Sequence, residues 1–458
     1  MAATDGELPL VHSFPASPAL RRVTDDILRT LEWRTPGRLA YWGAVGLCLF
    51  VWSLALLVWA YQIYTGLHIT GLIHPVMWGA YITTFVFWIG IAHSGTLISA
   101  ILFLFRARWR TTIARSAETM TIVAIVTAGL FPILHLGRPW RFYWLIPYPN
   151  ERGLWVNFSS PLIWDACAVG TYFVASVLFW FLGLVPDFAI VRDRRTGWRR
   201  RICGWLAAGW LGTAQEWRLF RTAYALLAGL ITALVVSVHS IVSWDFAVAI
   251  VPGWHSTIFA PYFVAGAILS GLAMILTLVI PGRFLLGIRD YITDDHLEQV
   301  AKLLVPVSLI VSYSYLSELF FAWYRGEEAE QRQFIFRAVG TYAPLVWLAL
   351  ACNSVAPLAL LRRKVRRNAA ALFAISIVIN IGMWTERFII IVASLSRDYD
   401  AYSWGSYRPT VFEWTILAGS AAWFLFWFLL LLGHIPSVPM TEVKEQLITP
   451  PQAEAARS

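Results

Sequence analysis

The chain has 458 residues, of which 58% are hydrophobic and 14% charged, with 25 Trp and a formal net charge of +9. So apolar a composition excludes a soluble domain, and the apolar runs, about 20 residues long, are the length that crosses a bilayer. The basic excess then reads as membrane topology facing anionic lipid, and a nucleic-acid surface is not expected.

Residues 1–38 read as a polar cytoplasmic arm, with four prolines before Gly37 and no apolar core of a signal peptide. Ten all-α membrane spans follow, at about 39–64, 77–105, 117–135, 161–184, 222–244, 257–280, 300–321, 340–361, 369–395 and 412–433, in one membrane domain covering 39–433. Residues 434–458, polar from Pro436 on, are expected to be a loosely ordered cytoplasmic tail. Of the 36 Lys and Arg, 26 fall in the arm, the tail and the loops after even-numbered spans, against 8 in the other loops. That asymmetry predicts both termini in the cytoplasm. Cys48, Cys167, Cys203 and Cys352 are scattered without Cys-x-x-Cys spacing, so neither an iron–sulfur cluster nor a disulfide framework is expected on this chain.

With that orientation each ionisable residue in a span acquires a depth. Span three ends at His135 on the outer side, and span four starts there with Asp165 one turn inside. A carboxylate at bilayer depth costs roughly 2.5–3.5 kcal/mol on insertion scales, so an Asp near a His is a candidate site. Glu318, His239, Asp245 and the pair Glu386-Arg387 lie toward the same face, and His93 sits near mid-membrane. Each has a plainer reading as a helix-end cap, a snorkelling side chain or a packed histidine bonded to a carbonyl of a neighbouring helix. Together they suggest more, because Arg387 could offset the burial of Asp165 or Glu318 and keep a carboxylate able to accept protons.

A lipid-dissolved quinol suits such a layout, because its oxidation requires acceptors for two protons inside an apolar pocket. Trp140, Phe142, Tyr143, Trp144 and Tyr148 would supply an aromatic wall, although Trp and Tyr also form ordinary interfacial belts. Electrons would leave to another subunit docked on the outer loops 136–160, 322–339 and 396–411. Competing readings are a haem-bearing cytochrome ligated by His135 and His239, a secondary transporter, and a plain membrane anchor.

Five runs carry a resemblance: His93-Ser-Gly-Thr-Leu-Ile-Ser-Ala100, Arg115-Ser-Ala-Glu-Thr-Met120, Gly129-Leu-Phe-Pro-Ile-Leu-His-Leu-Gly-Arg-Pro-Trp-Arg-Phe-Tyr-Trp144, Ser160-Pro-Leu-Ile-Trp-Asp165 and Glu386-Arg-Phe-Ile-Ile-Ile-Val392. Over about residues 75–435 the chain resembles the NrfD-like (polysulfide-reductase-type) membrane subunits, most of all the quinol-oxidising, ActC-type subunit of bacterial alternative complex III. The resemblance implies two four-helix bundles, spans two to five and six to nine, with one extra helix at each end. It implies oxidation of menaquinol near the periplasmic face at His135 and Asp165, with Arg387 and Asp245 lining the pocket beside Glu318 and Tyr143. Electrons would pass to a [3Fe–4S] cluster in an extrinsic, molybdopterin-oxidoreductase-like iron–sulfur subunit and on through a multihaem cytochrome c subunit, with a second NrfD-like membrane subunit in the same complex and no metal or haem on this chain. Proton movement is also implied, with His93, Glu118, Thr121 and Glu386 as stepping stones. One departure is Ser396-Arg397-Asp398, where relatives carry His-Arg-Asp, so a role for that histidine does not transfer.

Overall fold

A computed structural model describes residues 17–32, 37–146, 148 and 159–448. Its ten long apolar helices are Arg38–Thr65, Ala80–Leu104, Arg108–His135, Pro161–Arg194, Ala214–Ala247, Phe259–Leu285, Asp294–Arg325, Ala343–Leu361, Ala369–Ala393 and Val411–His434, numbered below as spans one to ten. Several run past their predicted limits. Span three begins well before residue 117, and spans four, five and seven each extend beyond the apolar stretch. Hydropathy misses these ends because helix continuity depends on backbone bonding and not on apolar character. Thr213 and Thr410 show this at spans five and ten, where each caps the first turn in a capping box with Glu216 or Glu413.

Spans two, three and six are the most buried, and span one is the most outward-facing. Span two packs on spans three, five, six, nine and ten, while span six packs on two, five, seven and nine. Spans three and four are neighbours, as are four and five, seven and eight, and eight and nine. Span one pairs with span ten, which also lies against span three. Small residues permit the closest approaches: a Cβ on Gly271 of span six would collide with Ser94, and one on Gly95 with Thr121 and the Ala117 carbonyl. In lipid, where apolar surface gains little by leaving the tails, such close backbone packing is the main source of helix association.

The arm helix Pro18–Leu31 and the tail helix Met440–Ile448 meet at one end of the bundle, called here the terminal end. There the sequence expectation of a loose tail fails for residues 440–448, while 449–458 lie outside the described residues. Met440–Ile448 is a helix whose Met440, Thr441, Val443 and Lys444 are buried. It contacts the arm helix Pro18–Leu31 and spans three and four. Thr441 donates from its amide and its hydroxyl to Asp187 Oδ1, at 3.3 and 3.0 Å, and Arg110 pairs with Glu442 at 2.8 Å. The segment is polar because it covers polar helix ends, which composition alone cannot distinguish from solvation. Burial holds the Lys444 ammonium below the ordinary lysine range, with nearby Asp187 opposing the shift. The arm is tied down by Arg195, which pairs with Glu32 and donates to the Leu28 carbonyl at 2.8 Å.

Candidate functional site

Span four enters the bundle at the end opposite the termini, with Pro161 in its first turn and Asp165 one turn further in. Span five leaves at the same end, ending at Ala247, and so carries Asp245 to the same level. The Asp165 and Asp245 carboxyls meet within hydrogen-bond reach. Each has an Oδ1 that is buried without a hydrogen-bond partner. Trp164 and Trp244, one residue before each Asp, meet edge to face at 6.1 Å and brace the pair.

His135 closes span three at this end, and its Nδ1 is likewise buried with no hydrogen-bond partner. Tyr143 lies in the short 3₁₀ segment Pro139–Leu145, partly exposed, and its contacts are with Arg141, Phe142, Trp144 and Tyr148. The nearest acidic partner of Asp165 is therefore Asp245, an arrangement in which Asp245 takes the central place that the sequence reading gave to Arg387.

Arg387 of span nine lies deeper, against span six. Its guanidinium sits over Phe263 at 4.1 Å and Tyr262 at 5.7 Å, and pairs with Glu386 at 3.3 Å. Gly266 makes this possible, because a Cβ there would strike the guanidinium. Glu386 also accepts from the Tyr315 hydroxyl and, at 3.1 Å, from Asn353 Nδ2. Both span eight at Ala351–Val355 and span nine at Ile389–Ala393 widen into π-helical turns beside this cluster, a distortion often found at functional sites.

The cation beside Glu318 is Arg337, at 3.0 Å, and not Arg387 as the sequence suggested. Arg337 comes from the helix Glu328–Val339, which tucks back onto the bundle and also binds Ser394 Oγ at 2.6 Å and the Gly253 carbonyl at 3.2 Å. A loop between two spans gives no sequence sign that one of its arginines turns inward.

His93 and His239 face one another across spans two and five with ring centroids 4.8 Å apart, and Tyr172 stacks flat on His93 at 4.7 Å. His93 Nδ1 bonds the Ile89 carbonyl of its own helix at 2.5 Å, not a neighbouring helix, and its Nε2 is buried without a partner. Thr121 donates to the Ala92 carbonyl at 2.8 Å, one residue from His93. Toward the terminal end, Arg115 joins Glu118 at 3.1 Å and Asp187 at 3.0 Å, and Tyr224 donates to Glu118 at 3.3 Å. Asp187, Tyr172, Tyr315, Asn353 and Arg337 were absent from the sequence reading, and Arg115 entered it only as part of a quoted run, with no role. For Arg115 a signal existed in its position three residues before Glu118, one helical turn. Among the described residues no three His, Cys, Asp or Glu side chains converge as a metal-holding group.

Residues 69–397 match the family described as polysulphide reductase, NrfD. A Halobacterium salinarum protein, a putative dimethyl sulfoxide reductase membrane subunit of the C type, is 27% identical over 406 residues, covering 82% of this chain and 87% of that protein.

Proposed function

The chain belongs to the NrfD (polysulphide reductase) family of membrane subunits of redox complexes, and on that premise we propose that it oxidises a quinol for a respiratory or photosynthetic electron-transfer complex. The observation that carries the reading is the meeting of Asp165 and Asp245, each with an unsatisfied buried acceptor, at the end of the bundle where His135 closes span three. Two carboxyls in contact hold one proton between them, so the pair can take a further proton only as one is passed on. In this reading the quinol loses two protons and two electrons. His135 receives the first proton, the Asp165–Asp245 pair receives and relays the second, and the electrons leave to a partner. Arg387, Glu318 and Tyr143 belong to the wider lining, with Arg387 setting the potential behind the pocket.

The finer assignment is an alternative complex III subunit of the ActC type, acting on menaquinol. It is supported by the His135 and Asp165 motifs and by the ten spans of a subunit with one extra helix at each end. The relative's designation as a reductase membrane subunit supports work with catalytic partners. We assign these as an extrinsic iron–sulfur subunit holding a [3Fe–4S] cluster, a multihaem cytochrome c and a second NrfD-like membrane subunit. The Lys and Arg asymmetry supports both termini cytoplasmic, which in a bacterial inner membrane puts the Asp165 end at the periplasmic face. Proton movement across the membrane is assigned to His93, Glu118, Thr121 and Glu386.

The test is Asp165→Asn, which keeps the side chain's shape while removing its proton chemistry. In the purified, fully assembled complex quinol-driven electron transfer should fall by about 10²-fold or more, the usual contribution of a positioned acid–base group. Retention of wild-type turnover in that complex overturns the reading.

A further inference from the structure

Spans six to nine contain a line of polar side chains that leads to Glu386 and that, up to that residue, neither the Asp165 pocket nor the Glu118–His93 series uses. Nearest the terminal end, Thr277 of span six bonds Ser376 of span nine, oxygen to oxygen, at 2.9 Å. Asn380, one turn further along span nine, donates to Thr277 at 3.3 Å. Asn353 of span eight sits against Gly382, where any Cβ would collide with its amide oxygen. Asn353 in turn donates to Tyr315 at 3.0 Å and to Glu386 at 3.1 Å. From Ser376 to Glu386 is ten residues of helix, or about 15 Å, roughly half the hydrocarbon thickness.

Three acceptors along this line lack hydrogen bonds: Asn380 Oδ1, Asn353 Oδ1 and Glu386 Oε1, the last facing Arg387 at 3.3 Å. All three residues are at most 9% exposed. A single orphaned acceptor in hydrocarbon is costly, and buried polar atoms are normally satisfied by protein or by ordered water. Three of them in sequence, between hydroxyls that both donate and accept, form the lining of a hydrated chain. The π-helical turn at Ala351–Val355 places Asn353 within it, and that at Ile389–Ala393 directly follows the Glu386-Arg387 pair.

We propose that spans six to nine carry a second proton-conducting column, from Ser376 and Thr277 through Asn380 and Asn353 to Glu386. Glu386 stands at the head of the column, where Tyr315 and Asn353 donate to its carboxyl and orient it. Such a branch would deliver protons independently of Glu118. The inference rests on the proposed coupling of quinol oxidation to proton movement.

The test uses the complete complex in sealed vesicles, with Thr277→Val, which is nearly isosteric, and Asn380→Leu. Protons moved per electron and the electron-transfer rate are measured together. Each variant should lower the proton-to-electron ratio about twofold, as closing one of two equal branches would, while electron transfer continues. An unchanged ratio in both variants, with wild-type vesicles translocating, overturns the second column. Loss of electron transfer along with the ratio in both variants also overturns it, by making these residues part of the quinol reaction. Wild-type vesicles that oxidise quinol without moving protons overturn the coupling itself, and wild-type vesicles without quinol turnover overturn the functional reading.

Discussion

Asp165 and Asp245 show how two residues from helices running in opposite directions come to share one position. Span four brings its carboxyl in one turn after entering, and span five brings its own shortly before leaving, so the pair is held by two rigid helices and not by a loop. Glu318 and Arg337 illustrate the opposite case, a charge from a loop helix drawn into the bundle. Truncating Arg337 to Met would leave Glu318 buried and unpaired, a change worth about 3–5 kcal/mol. The expected outcome is a clear drop in the thermal midpoint of the detergent-solubilised protein, with much of it recovered when Glu318→Gln is added. Equal destabilisation in the single and double variants would show that Arg337 acts through Ser394 and Gly253 and not through the carboxylate.

At the scale of elements, helix packing depends on glycines at crossing points. Gly271→Ala would drive a methyl into Ser94, forcing spans two and six apart at a cost of about 1–3 kcal/mol, and Ser94→Ala in the same chain should return part of it. Thermal unfolding of the two variants measures this directly. The tail helix Met440–Ile448 is an element of the same kind, held by Asp187, Arg110 and the buried stem of Lys444. Because burial lowers the affinity of Lys444 for its proton, the undocked tail binds that proton more strongly. The resulting penalty on docking is fully present at neutral pH and is lost as pH rises toward the ordinary lysine value. Lys444→Met should therefore dock more tightly at pH 7, with its advantage over wild type shrinking as pH rises. Hydrogen exchange of the tail amides, corrected for intrinsic rates, is the measurement.

Across the whole molecule, the ten spans could be read directly from the sequence, because a 30 Å apolar slab imposes a length and a composition that local averaging detects. The end of the bundle to which His135, Asp165 and Asp245 belong was equally legible, since span order fixes depth. Partners were not legible. Arg387 was expected beside Asp165 or Glu318, yet it lies against Glu386, Phe263 and Tyr262. Arg115 counted as a loop charge until helix three proved to start before it, within a network of Glu118 and Asp187.

Sequence alone therefore determined that the chain has ten helices long and apolar enough to cross a membrane and that His135, Asp165 and Asp245 share one end of the bundle, because both follow from periodicity, length and span order along one chain. Only the tertiary structure decided which groups face one another. Rotation of each helix about its axis and the tilt between helices are set by contacts among residues tens to hundreds of positions apart. Those contacts bring Asp165 to Asp245, His93 to His239 and Arg337 to Glu318.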